Sequence, residues 1–249
     1  SQYQLIPYQR VQEQFQDQLQ LPISVGSVFA FNQQAYALLE QFEQKLMAKL
    51  LDSRVLHSDE TGINIAGKTH WLHCVSNPHW TLYHAHAKRG TEAMIAQGVL
   101  PHFTGILVHD HWKPYFQFQC QHALCNAHQL RELTFAHEQE QQAWAKAMIE
   151  LLLTMQQAVA AHGGVLPEAQ ATAFHSQYQA LLKQAQSKCP PPEPGPTSGR
   201  RGRPKRSKSR NLLERLLNYQ DETLRFLTDA EVPFTNNQGE NDIRMTKLQ

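Results

Sequence analysis

Apolar residues fall at helical spacing near both ends of the chain and at strand spacing between them. Tyr8, Val11, Phe15 and Leu19 recur every three or four positions, which predicts a helix over 8–19, and after Leu21-Pro22 a second helical pattern runs over 25–51. From Arg54 the rhythm shortens. Residues 54–60, 70–76 and 79–86 are brief runs rich in β-formers, punctuated by Gly67 and Asn77-Pro78, so two antiparallel connections fit. A helical stretch over 90–97 precedes a fourth strand over 105–110 and a short fifth over 122–125. Three strands, a helix and two more strands make an α/β sheet of mixed direction. Helical spacing resumes at Asn126, the expected N-cap of a tract reaching about Ala161, with Leu130, Leu133, Trp144, Met148, Leu151 and Leu152 as its apolar positions. Gly163-Gly164 ends that tract, and another helix is expected over 167–187. Proline-dense 189–196 reads as an exposed linker or hairpin, and 211–228 returns to helix. After Pro233 a last helix starts near Thr235 or Asn236 and carries Asn237, Glu240 and Arg244 on one face.

Charge changes this picture only through its distribution. The net charge is +1, which by itself names no partner. Yet Arg200, Arg201, Arg203, Lys205, Arg206, Lys208 and Arg210 crowd into a short run, while acids outnumber bases over the remainder. Cations interleaved with Gly, Pro and Ser can follow a phosphate backbone and gain affinity by counterion release; a solvated loop is the plainer alternative. The four cysteines, Cys74, Cys120, Cys125 and Cys189, form no CxxC pair, which favours reduced thiols in a cytosolic setting. No stretch approaches the roughly 20 apolar residues of a membrane span, and the Gln-rich start lacks the apolar core of a signal peptide. A soluble intracellular protein is expected, with no membrane partner. Gln249 closes a helix-like run without a cap, so a fragment of a longer protein is also expected. The first two helices could read DNA as a helix-turn-helix, but few basic side chains line them before Lys45, so plain packing is the default.

Two strands end in acids. Ile106, Leu107 and Val108 lead into Asp110, flanked by His109 and His111, and Val55-Leu56-His57-Ser58 leads into Asp59 just ahead of Gly62. The interval between them accommodates two strands and a helix, so the two acid-bearing strands could lie side by side. Neighbouring carboxylates repel unless a cation sits between them. Either acid alone is more simply a cap or a turn residue.

A helical acid at Glu240, far downstream, completes a three-carboxylate pattern. HSDETG (57–62), KRGTEAM (88–94), GILVHDHWKPYF (105–116), HALCNAHQLREL (122–133) and NNQGENDIR (236–244) together make the chain resemble the catalytic domain of bacterial insertion-sequence-66 (IS66) family transposases. The resemblance implies an RNase H-like mixed sheet flanked by helices, with an N-terminal helical segment (1–52), a first part of the core (53–135), a helical insertion with the basic linker (136–232) and a C-terminal helix completing the core (233–249). It makes Asp59, Asp110 and Glu240 catalytic and metal-holding, with Mg²⁺ or Mn²⁺ as cofactor. Glu231, Asp242 and Glu222 are nearby alternatives for the third acid, and Asn241 stands where the family commonly has Arg. The implied reaction is metal-dependent hydrolysis at transposon ends followed by strand transfer into target DNA. Alternatives are an RNase H-like nuclease without strand transfer and an inactive DNA-binding remnant. Implied partners are DNA, a second copy of the chain on paired ends, and accessory proteins; the implied location is the bacterial cytoplasm, on the nucleoid when bound to DNA.

Several polar residues are weighed for supporting parts. Lys88, Arg89, Arg131, Arg244 and the basic run (Arg200, Arg201, Arg203, Lys205, Arg206) are candidate phosphate contacts; ion pairing or simple solvation competes for each. Cys125 and His128 form a C-x-x-H spacing similar to one near the active site of other DDE transposase groups. With Cys120 and His122 they could make a four-ligand zinc site, but strand and helix geometry is expected to point these side chains apart. His57, His109 and His111 could touch phosphate or tune bound water, or be solvated. Asn237 is placed as an accessory residue, and Trp112 is expected to pack beneath the second acid.

Overall fold

The computed structural model describes residues 6–191, 206–244 and 246. Three helices open the chain: α1 (Tyr8–Leu19), α2 (Val25–Leu38) and α3 (Glu40–Leu51). The hydroxyl of Ser24 caps α2 by accepting from the Ser27 N–H at 2.9 Å. The pattern over 25–51 is thus two helices, interrupted at Leu39, whose N–H still reaches back to Ala35 and Tyr36. Helix α1 buries no residue, whereas α3 buries Leu46 and Leu50 against the sheet.

The sheet consists of β1 (Val55–Ile65), β2 (Lys68–Ser76), β3 (Thr81–His86), β4 (Ile106–His109) and β5 (Gln121–Leu124), with α4 (Thr91–Gln97) between β3 and β4. Its order is β3-β2-β1-β4-β5; β1, β2 and β3 are antiparallel neighbours, and β1, β4 and β5 run parallel. This mixed sheet flanked by helices is consistent with the RNase H-like fold. Gly62 is not a turn residue. Strand β1 passes through it because β2 pairs with β1 all the way to Ile65, and the hairpin turns at Ala66-Gly67, both at positive φ. The Gly67 N–H donates to the Asn64 side chain at 2.9 Å, a local bond that fixes the turn there.

Strand alternation sorts the core into two halves. Leu56, Val75, Leu82 and Leu107 point to one face, where Leu46 and Leu50 of α3, Met94 of α4, Leu100 and Phe103 cover them. Val55, Ile106, Val108 and Ala123 point to the other, under a helical layer of α5 (Asn126–Glu138), α6 (Ala143–Ala161), α7 (Glu168–Lys188), α8 (Lys208–Asn218) and α9 (Gln220–Leu224). Fully burying side chains such as Leu133, Met148 and Leu213 contributes about 1.5–3 kcal/mol each, which ties these helices to the sheet.

The long tract from Asn126 divides at residues 139–142, where Gln141 takes a positive φ and Gln142 accepts from the Trp144 indole. Asn126 is not the cap. Cys125 occupies the N-cap, and Asn126, already helical and buried, donates from its side chain to the Thr223 carbonyl at 3.0 Å. Tyr219 likewise separates α8 from α9 within the stretch expected to be continuous. The last helix, α10 (Asn237–Arg244), lies across β1 and β2. No helix among the described residues is long and apolar enough to cross a membrane.

Candidate functional site

Parallel register brings the two strand acids together. Val55 pairs with Ile106 and His57 with Val108; Asp59 follows two residues after the last pair on β1, and Asp110 two residues after it, one position beyond the end of β4, so both acids have the parity of the same sheet face. The next strand continues the row. His109 pairs with Leu124 and its carbonyl accepts from the Cys125 N–H at 2.9 Å, which places Cys125 beside Asp110. On the other side Asp59 pairs with Cys74 and Cys74 with Tyr83. Asp59, midway along β1, and Asp110, just beyond the end of β4, are both half-buried.

Helix α10 lies along this row. The Tyr83 hydroxyl donates to the Asp242 carbonyl at one end, and at the other the Glu240 carboxylate stands 4.0 Å from Cys125 Sγ, 3.7 Å from His128 Nδ1 and 3.8 Å from the Arg131 guanidinium. Of the alternative third acids, Glu231 is paired with Arg54 at the opposite end of β1, and Asp242 accepts from Gln238 and faces the Cys74 side. Burial, helped by the Asp242 and Asp59 charges, pushes the Cys74 thiol far up.

The residue that seats α10 is Asn236, which from the sequence is only a possible start of the last helix. It is 3% exposed; its Oδ1 accepts from His57 Nδ1 and its Nδ2 donates to the Ser58 carbonyl, both at 2.9 Å, while its backbone N–H donates to Cys125 Sγ at 3.1 Å. Asn237, the expected accessory residue, is exposed. Gly239 passes over Asn236 so closely that an added Cβ would meet its amide at 3.1 Å. Just upstream, the Asn126 N–H bonds the Phe234 carbonyl at 3.0 Å, and Arg54 pairs with Asp229 at 2.6 Å.

A second network braces the acid-bearing stretches from the opposite face. Glu60 is buried beside Asp59; it accepts from the Tyr115 hydroxyl and from Arg89, whose Nη2 approaches to 2.8 Å. The Arg89 guanidinium lies between the indoles of Trp71 (4.8 Å) and Trp112 (4.3 Å). Trp112 therefore packs on Arg89, and its backbone N–H donates to Asp110 Oδ1 at 2.9 Å. Burial raises the Glu60 carboxyl above its ordinary range; the Tyr115 and Arg89 hydrogen bonds oppose this, and the Asp110 charge adds to it.

Asp110, His111, Trp112, Cys125, His128 and Arg215 are among the residues lining a cleft of about 220 Å³ at this edge. His111 is held neutral, its pKa lowered to about 4 by burial and by the nearby Arg215 charge. His128 is shifted the other way, chiefly by the adjoining Cys125 sulfur. Burial lowers His57, and it lowers His109 to about 3. His109 is turned away from the row and contacts His122 at 3.0 Å. The four-ligand zinc arrangement is accordingly not formed, because His122 faces His109 rather than Cys125 and His128.

The basic candidates separate. Lys88 pairs with Glu92 at 2.6 Å on the surface, and Arg89 is engaged by Glu60 and the two indoles. Arg131 is 65% exposed beside Glu240, and Arg244 is exposed on α10. Arg206 pairs with Glu214, while Arg200, Arg201, Arg203 and Lys205 lie outside the described residues. Arg215, not singled out from sequence, pairs with Glu132 at 2.6 Å and faces the cleft.

Asp59, Asp110 and Glu240 offer the carboxylate oxygens that a hard divalent cation takes, the first two half-buried. Their ligand atoms do not all fall within 4.8 Å of one another, a range that Cys125, His128 and Glu240 do meet. A family model described as "Transposase IS66 family" matches residues 2–249. The comparison with curated proteins found no match.

Proposed function

Since the chain belongs to the IS66 family of transposases, we propose that it cuts DNA at insertion-sequence ends and joins the freed end to target DNA. The observation that supports this reading is the parallel pairing of β1 with β4, which ends two residues before Asp59 and Asp110, together with the packing of the Glu240-bearing helix α10 on β1. Asp59, Asp110 and Glu240 would hold Mg²⁺ or Mn²⁺, which when bound supplies Lewis-acid polarisation of a phosphoryl oxygen and a more acidic water. The chain's own residues position the phosphodiester. Arg131 beside Glu240 and Arg215 within the cleft face its charge, and β1 and the end of β4 hold the two aspartates in place.

Water attacks phosphorus in line, breaking the phosphodiester and leaving a 3′-hydroxyl; that hydroxyl then attacks a target phosphodiester. No protein nucleophile takes part. In this reading residues 53–135 and 233–249 form the catalytic core, 136–232 the insertion, and two copies act on paired ends. The test is cleavage and joining of end-sequence DNA with Mg²⁺ by the unmodified chain and by Asp59→Asn, Asp110→Asn and Glu240→Gln. Each variant loses both steps by on the order of 10³-fold or more, equivalent to about 4 kcal/mol of transition-state stabilisation. An Asp59 or Asp110 variant that still joins ends refutes the reading, and cutting without joining by the unmodified chain reduces it to a nuclease.

A further inference from the structure

The Cys125, His128 and Glu240 side chains are brought together by two separate devices. Cys125 is the N-cap of α5 and His128 lies three residues on, so both project from one side of the first helical turn. Glu240 arrives from α10, one turn after Asn236 locks that helix to β1. Sγ lies 4.0 Å and Nδ1 3.7 Å from Glu240 Oε1, and all three atoms fall within 4.8 Å of one another. In a tetrahedral zinc site, with bonds of about 2.3 Å to sulfur and about 2.0 Å to nitrogen or oxygen, ligand atoms stand about 3.3–3.5 Å apart. Each atom need move inward by only about half an ångström.

Two further features point to a ligand. His128 Nδ1 is shut from solvent and meets no partner at hydrogen-bond geometry. Cys125 Sγ receives the Asn236 N–H at 3.1 Å, so the sulfur acts as an acceptor, as a metal-bound thiolate does.

We propose that Cys125, His128 and Glu240 form a binding site for a borderline-soft divalent ion of the zinc class, with its fourth position open to the cleft. Thiolate and imidazole select such an ion over magnesium. Binding exchanges the Cys125 thiol proton for the metal and releases that proton to solvent. Arg131 opposes a cation here, but it is mostly exposed and its charge is screened. The site takes Glu240, so for its effect on DNA chemistry it rests on the transposase reading: a zinc-class ion withdraws the third carboxylate from the hard cation.

Cobalt(II) titration of the full chain, without DNA, tests this. One equivalent of Co²⁺ gives a thiolate-to-cobalt charge-transfer band that Zn²⁺ abolishes. Cys125→Ser removes the band, His128→Ala weakens binding by about tenfold or more, and Asp59→Asn leaves it intact. No band, or the same band in Cys125→Ser, overturns the site; if Cys125→Ser misfolds, His128→Ala keeps the test valid, since unweakened binding in that variant overturns it as well. Millimolar Mg²⁺ lowers the apparent Co²⁺ affinity several-fold, an effect lost in Asp59→Asn. An unaffected band counts instead against Glu240 as the shared third acid, which separates failure of the transposase reading from failure of this one.

Discussion

At the scale of single residues, buried polar groups carry the placement of the site, and two of them make distinct predictions. Asn236 satisfies His57 and Ser58 through its side chain alone, so Asn236→Ala leaves two buried groups unpaired. The expected cost is about 2–4 kcal/mol, read as a lower urea midpoint, whereas Asn237→Ala changes stability by less than about 0.5 kcal/mol. Equal effects at the two positions would show that Asn236 does not seat the helix. His109 makes the second prediction. An unfolded chain protonates it near its ordinary value of 6.5, but burial holds the folded side chain neutral down to about pH 3. Between those limits the unfolded state binds the extra proton, so stability falls as pH falls, with His109 contributing about 1.4 kcal/mol per pH unit. His109→Gln lowers stability at pH 7 but flattens its decline between pH 6.5 and 5; an unchanged slope would mean that His109 is not the group responsible.

Among the elements, the middle of β1 and the turn after β4 depend on the clamp formed by Arg89, Glu60 and the two indoles. Arg89→Lys keeps the charge but loses the planar stack and the paired donors to Glu60. A loss of about 1–2 kcal/mol in stability is expected, with the salt dependence of DNA binding unaltered. A direct phosphate contact would instead reduce the slope of log K against log salt by about 0.9. This clamp was illegible in the sequence, because it joins residues from β1, β2, the approach to α4 and the turn after β4, and nothing local to Arg89 names Glu60. The strands themselves were legible, since β-branched residues such as Val55, Val75 and Val108 mark them without knowledge of their partners. Strand length was not. Gly62 looks like a terminator until β2 supplies the ladder that carries β1 past it. Asp59 and Asp110 stood out because apolar runs lead into them, while the convergence of Glu240 on Cys125 and His128 depends on the seat that Asn236 makes, a tertiary contact with no local signature.

Over the whole molecule, charge is divided between a cleft with few cations and a basic run of which Arg206, Lys208 and Arg210 fall among the described residues. If that run follows the DNA backbone, replacing Arg200, Arg201, Arg203 and Lys205 with Gln lowers the salt slope by up to about 0.9 for each phosphate no longer neutralised. Cleavage of ends already bound at low salt is then retained. An unchanged slope would assign the run to solvent. The connectivity of the fold has a further consequence for synthesis. Asp59 and Asp110 belong to neighbouring strands that can pair once β4 has left the ribosome, but Glu240 follows only after the entire helical layer has been translated. A nascent chain therefore passes through a long interval with a folded sheet and an incomplete acid set, and whatever reactivity the assembled edge has toward nucleic acid is withheld until translation has delivered α10.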